Sequence, residues 1–281
     1  MRELFAGLFD DAALFPPGDA PVAEAVPAHR ALRERFGDLL GPFVIPAVRL
    51  DELDACLGDG DGAPFGVSVI APIDALPGAV ARVAADPRLE LAAVEIPQVG
   101  DAAQARAAVW VLAEVLPDGA AAAIEIRRTP AQAAVLDTLA GSRYRAKLHT
   151  GGLSREHFPD EAELAATLAA CQRRGLAVKC TAGLHHAVRH TAADTGFEHH
   201  GFLNVLLAAD ALAQGVTADG AADLLARRDG ATIAAELHTW PAERAERARE
   251  LCTSFGTCSV LEPVDDLVAL GLLTTSERMP S

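Results

Sequence analysis

The chain has 281 residues, 51% hydrophobic and only 5% aromatic, and carries a formal net charge of -15. A surface of that sign repels a phosphate backbone and argues against nucleic-acid binding. No apolar run approaches the roughly 20 residues of a membrane span. The opening "MRELFAGLFDDAALF" carries acids inside its apolar run, which spoils a secretory leader. Cys56, Cys171, Cys180, Cys252 and Cys258 are scattered with no CxxC pair, as expected of reduced thiols in a cytosol. The expectation is a soluble, cytoplasmic protein, one domain over 1–281, with neither a nucleic-acid nor a membrane partner, compatible with a homo-oligomer.

Short β-type runs alternate with Ala/Leu/Arg-rich helical segments along the chain. The strands are expected at 7–15, 42–48, 66–72, 91–97, 121–127, 144–150, 176–182 and 252–259, eight in all. Helices are expected near 20–36, 51–58, 74–86, 101–116, 130–140, 160–175, 200–214 and 263–271. Asp101, Thr129-Pro130 and Pro159-Asp160 supply helix-start signals. This alternation predicts an α/β fold with a parallel sheet, a (β/α)8 TIM barrel. The interval between the seventh and eighth strands is about twice a plain unit. Extra helices near 217–228 and 231–250 fill it as an enlarged helical insert.

Side chains alternate inward and outward along a barrel strand. Ala92, Val94 and Ile96 oppose Glu95, and Ala122, Ile124 and Ile126 oppose Glu125 and Arg127. On the next two strands, Lys147 and His149 share one face, as do Lys179 and Thr181. Each ionisable residue falls late in its strand, toward the end where barrel active sites are built. The same parity places Arg49 at the end of the second strand and Asp11 near the end of the first. Asp11 is read as lining the pocket, and Asp10 as a cap or a solvent-facing residue.

Lys147 and Lys179 are the chain's two lysines; its other cationic side chains are 22 arginines. An amine, unlike a guanidinium, can lose its proton when buried and act as a nucleophile. Two inward lysines on neighbouring strands are expected to ease deprotonation, because desolvation and like charge both disfavour the ammonium. Lys147 is then the nucleophile that forms a Schiff base and Lys179 its electrostatic partner. Glu95 or Glu125, with His149, would move protons.

"Lys147-Leu148-His149-Thr150-Gly151" and "Val178-Lys179-Cys180-Thr181-Ala182-Gly183" resemble the strand-six and strand-seven motifs of the deoxyribose-phosphate aldolases. "Gly256-Thr257-Cys258-Ser259" resembles that family's strand-eight run. The resemblance implies a class I aldolase barrel, with the Schiff base on Lys147 and its tuning by Lys179. Glu95 would stand near the family's strand-four acid. His185 follows where the family often has Arg, and the insert after the seventh strand is foreign to it.

The segment from Gly183 to Asn204 holds His185, His186, His190, His199 and His200. Together with His149 and the carboxylates it raises an alternative. In that alternative a metal-dependent hydrolase, isomerase or oxidoreductase holds a divalent ion on His149, His185, His186 and His200. Under the leading reading no cofactor is required. Gly183, Gly256 and Thr257 end strands where backbone N–H groups can hold an anion. Arg49, Arg189, His185, His186, Asn204, Thr181 and Asp11 complete the substrate-binding candidates. The expected function is a Schiff-base lyase of aldolase type on a small carbonyl compound. A non-catalytic barrel that binds a small anion is the remaining alternative.

Overall fold

A computed structural model describes residues 2–58 and 62–274; residues 1, 59–61 and 275–281 of the expected domain lie outside them. All eight expected strands form, at β1 (Phe9–Asp11), β2 (Leu40–Pro46), β3 (Phe65–Ile70), β4 (Leu89–Val99), β5 (Ala121–Ile126), β6 (Arg145–His149), β7 (Val178–Thr181) and β10 (Cys252–Thr257). They close into a parallel barrel in the order β1-β10-β7-β6-β5-β4-β3-β2. The chain is a (β/α)8 TIM barrel. A two-stranded antiparallel hairpin, β8 (His190–Thr191) and β9 (Glu198–His199), stands apart in the loop after β7.

The helices are α1 (Arg2–Phe5), α2 (Val22–Phe36), α3 (Leu50–Asp54), α4 (Leu76–Ala84), α5 (Ala102–Val115), α6 (Gln132–Leu139) and α7 (Glu161–Gln172). They continue as α8 (Phe202–Ala213), α9 (Ala218–Leu225), α10 (Gly230–His238), α11 (Ala242–Leu251) and α12 (Leu261–Ala269). Two of the expected start signals act as caps. Asp101 accepts from Gln104 N at 2.8 Å, and Asp160 forms a capping box with Glu163. After Thr129-Pro130 the helix begins only at Gln132 and has no side-chain cap. The segment 231–250, expected as one helix, is two. Pro241 follows the end of α10 and has no N–H to continue it, so the chain restarts at Ala242. No helix among the described residues is long and apolar enough to cross a membrane.

The outward residues of the strands, such as Val67, Val69, Ile124, Ala146, Val178 and Phe255, are buried against the surrounding helices. Burial of each large aliphatic or aromatic side chain contributes about 1.5–3 kcal/mol. Phe9 meets Phe202 of α8 edge-to-face at 5.3 Å. Every residue of α8 from Phe202 to Leu212 is buried, because α7, α9 and α11 enclose it. Its one acid, Asp210, is bound by Arg244 at 2.7 Å and Arg247 at 3.1 Å, which offsets the cost of a buried charge. Within the insert α8 and α11 pack directly on β10, and α9 packs on α8.

Candidate active site

Register brings the ionisable residues together. Glu125 lies beside Lys147, and Lys147 beside Lys179. Ser254 lies beside Lys179, and Asp10 beside Gly256. With strand alternation, these positions point the polar side chains of five strands into the barrel.

Glu95 is the centre of the cluster. Its Oε2 lies 2.7 Å from Lys147 Nζ and its Oε1 2.5 Å from Lys179 Nζ. Lys147 also meets Glu125 Oε2 at 3.1 Å, and Lys179 meets Asp10 Oδ2 at 2.5 Å. Two hydroxyls complete the network: Ser68 donates to Glu95 at 2.8 Å and Ser254 to Asp10 at 2.9 Å. All are buried, Glu95 to 1% exposure.

Burial alone would raise the Glu95 pKa, but the two ammonium groups outweigh it and hold this carboxyl well below the usual range. Burial likewise disfavours both lysine ammoniums. Glu95 and Glu125 outweigh it at Lys147, and Asp10 and Glu95 at Lys179, so both lysines lie above their ordinary value. This corrects the expectation of easy deprotonation. Lys179 does oppose the charge on Lys147, but three carboxylates face two amines, and in the resting site both amines are protonated.

Asp10 is the second correction. It faces neither a helix end nor solvent, but turns inward onto Lys179, with 4% of its surface exposed. Asp11 takes the opposite parity, shared with Phe9, and leaves the barrel interior. It accepts from the buried His29 of α2 at 2.9 Å, whose ring packs on Phe43 and Phe65.

His149 stands above Lys147 on the same inward face of β6. Its Nδ1 lies 2.7 Å from Gly151 O. A carbonyl only accepts, so Nδ1 carries the hydrogen. Burial pushes the ring pKa down. The neutral ring therefore presents a bare Nε2, which is an acceptor. Below Lys147, Arg145 points the same way; burial lowers its pKa against the pull of Asp10 and Glu95.

The motif glycines set the spacing of the loops. A Cβ on Gly151 would stand 2.6 Å from Gly183 Cα, so the turns after β6 and β7 touch backbone to backbone. Thr150 Oγ1 ties them by donating to Ala182 O at 2.5 Å. Gly256 leaves room above Lys179: a Cβ there would meet Thr181 Oγ1 at 3.0 Å. Thr181 shares the inward face of β7 with Lys179. Thr257 is buried and donates to Ser259 O at 2.9 Å.

Other candidates are engaged elsewhere. Arg49 pairs with Glu52 at 2.8 Å, outside the cluster. Arg189 is buried between Glu161 at 2.7 Å and Glu198 at 3.2 Å, which pins the β8–β9 hairpin to α7. Asn204 accepts from Arg189 N and donates to Leu224 O and Arg227 O, a stitch within the insert. His185 and His186 face α12, bonding Glu262 at 2.9 Å and Asp266 at 3.1 Å. The Cys258 thiol, 3.7 Å from the His185 Nδ1, is pushed up to about 11 by burial. His200 turns away from the other three histidines of the metal alternative. Its Nε2 donates to Pro159 O at 2.8 Å, and Nδ1 accepts from Arg189. Among the described residues, no three His, Cys, Asp or Glu side chains form a group able to hold a metal ion.

Sequence reasoning missed Ser68, Ser254 and Arg145. Three signals were available: Ser68 interrupts the apolar run "FGVSVIA", Ser254 shares the parity of Gly256, and Arg145 shares that of Lys147. Compared with known proteins, the chain matches no protein-family model and no curated protein.

Proposed function

We propose that the chain is a Schiff-base lyase of aldolase type acting on a small carbonyl compound, with Lys147 as the nucleophile. The observation that carries this reading is Glu95 bridging both amines, 2.7 Å from one Nζ and 2.5 Å from the other. The motif resemblance around Lys147 and Lys179 supports the same roles, and the fold is one that commonly carries enzymes.

The protonated resting state suits this chemistry. When a carbonyl compound enters, Lys147 passes a proton to Glu125, 3.1 Å away, and the neutral amine attacks the carbonyl carbon. The carbinolamine takes that proton back on its oxygen and loses water. The resulting iminium carries a positive charge where the ammonium stood. The carboxylates that favoured the ammonium favour the iminium equally, so the electron sink is stabilised by groups already in place. The bare Nε2 of His149 accepts the proton of a β-hydroxyl as the C–C bond breaks, and the bonding pair enters the iminium to give an enamine. His149 returns its proton to the enamine carbon, and addition of water to the iminium so formed releases the second carbonyl product and restores the Lys147 ammonium. Lys179, held between Asp10 and Glu95, stays cationic throughout and fixes Glu95.

Cyanoborohydride trapping with a panel of small aldehydes, ketones and their phosphates tests this, with the adduct located by peptide mass analysis. An adduct on Lys147 that is lost in Lys147→Arg is expected. No adduct on either lysine across the panel sinks the reading.

A further inference from the structure

We infer that Gln98 is a positioning residue that holds Glu125 facing Lys147; this rests on the reading of Lys147 as the reacting amine. Gln98 lies near the C-terminal end of β4, where pairing with β5 shifts register between Ile96 and Val99. Its φ of 59° is left-handed, a conformation that glycine adopts freely and a glutamine only at a cost. Its side chain is exposed at the barrel mouth, so packing does not account for the residue. What the irregular backbone achieves is aim: the Gln98 amide reaches back and donates to Glu125 Oε1. Oε2 is left 3.1 Å from Lys147 Nζ.

Among the described residues, the other non-glycine residues with positive φ are Ala182, directly after β7, and Asp19, in the exposed turn before α2. Gln98 and Ala182 therefore fall on or directly after the strands of Glu95 and Lys179. Backbone strain on two neighbouring parts of one cluster marks a site that the fold holds in place rather than a packing defect. Without the Gln98 amide, Glu125 is free to turn toward the mouth and bond water. Lys147 would then keep Glu95 alone.

The chain's two lysines make this measurable in the full-length protein. Labelling with 15N-lysine gives two Nζ signals, assigned with Lys147→Arg. Gln98→Glu keeps size and reach but cannot donate, and Gln98→Gly removes the side chain while relaxing the backbone. In both variants, exchange of the Lys147 ammonium protons with water should quicken at least tenfold while that of Lys179 stays as in the wild type. Trapping of glycolaldehyde on Lys147 by cyanoborohydride should slow by a similar factor. Unchanged exchange at Lys147, or equal quickening at both lysines, overturns the positioning role. Selective quickening at Lys147 in a protein whose wild type never forms an adduct leaves the positioning role standing and removes the lyase. Should Gln98→Gly fail to fold, Gln98→Glu decides alone.

Discussion

Glu95 carries the charge balance of the barrel interior, because each of its oxygens answers a different amine. Glu95→Gln would leave Lys147 with Glu125 and Lys179 with Asp10, and a neutral amide between two buried cations. Breaking a buried ion network by removing one member costs about 3–5 kcal/mol. The exposed pair Arg2–Asp38, at 2.6 Å, is geometrically as good, but an exposed pair contributes only about 0–1 kcal/mol. Urea unfolding of Glu95→Gln beside Asp38→Asn should show that contrast, and equal losses would contradict the central place of Glu95. Parity made Glu95, Glu125, Lys147 and Lys179 legible, since each interrupts an apolar alternation at least four residues long. Asp10 was illegible for the same physical reason. β1 has only three residues, its pairing with β2 shifts register between Phe9 and Asp11, and no alternation that short fixes its own phase. The sequence pattern therefore points to Asp11, whereas Asp10 turns inward.

Among the elements, the turns after β6 and β7 are the most constrained. Gly183 has φ 76°, and a Cβ there would stand 2.8 Å from Thr150 O and 2.9 Å from Gly151 Cα, both backbone atoms that cannot swing aside. Gly175 has φ 64° with nothing within 4 Å of its notional Cβ. Alanine at either position bears the left-handed backbone, about 1 kcal/mol, but only Gly183→Ala adds a collision. Thermal unfolding should therefore show Gly175→Ala mildly destabilised and Gly183→Ala distinctly more so. Only Gly183→Ala should also slow trapping at Lys147, because it forces the two site loops apart. Two equal shifts would show that backbone angle alone matters. The strands and most helices were readable from periodicity, and Asp101 and Asp160 from their chemistry. The β8–β9 hairpin was not, because strands of two residues carry no period. The break at Pro241 was written in the chain but was outweighed by the helical composition of "AERAERAREL" on its far side.

At the scale of the whole molecule, the groups shifted upward by burial tie stability to alkaline pH. Cys171 and Cys252 are pushed up to about 12 by burial, Cys180 well above its ordinary value, and Lys147 and Lys179 above theirs by their carboxylates. Each of these groups keeps its proton in the fold at a pH where the unfolded chain loses it. The stability it contributes is complete below its unfolded pKa, about 8.5 for Cys and 10.4 for Lys, and is lost as pH rises toward the folded value. Glu95 acts with the opposite sign: its contribution is present above about pH 4.3 and is lost only in strong acid. Between about pH 5 and 8 these groups leave stability level. Above about 8.5 it should fall, first through these three thiols and Cys258, which burial also raises, and then through the lysines. Each fully titrating group adds about 1.4 kcal/mol per pH unit to the slope. Urea unfolding under a phosphine reductant from pH 7 to 10.5 reads this slope. Cys171→Ala combined with Cys252→Ala should lower stability at pH 7 by the lost packing, yet flatten the fall above pH 8.5 by about two groups' worth. A double variant whose curve stays parallel to the wild type over that range would show that these thiols titrate alike folded and unfolded. The alkaline loss would then belong to Cys180, Cys258 and the lysine cluster.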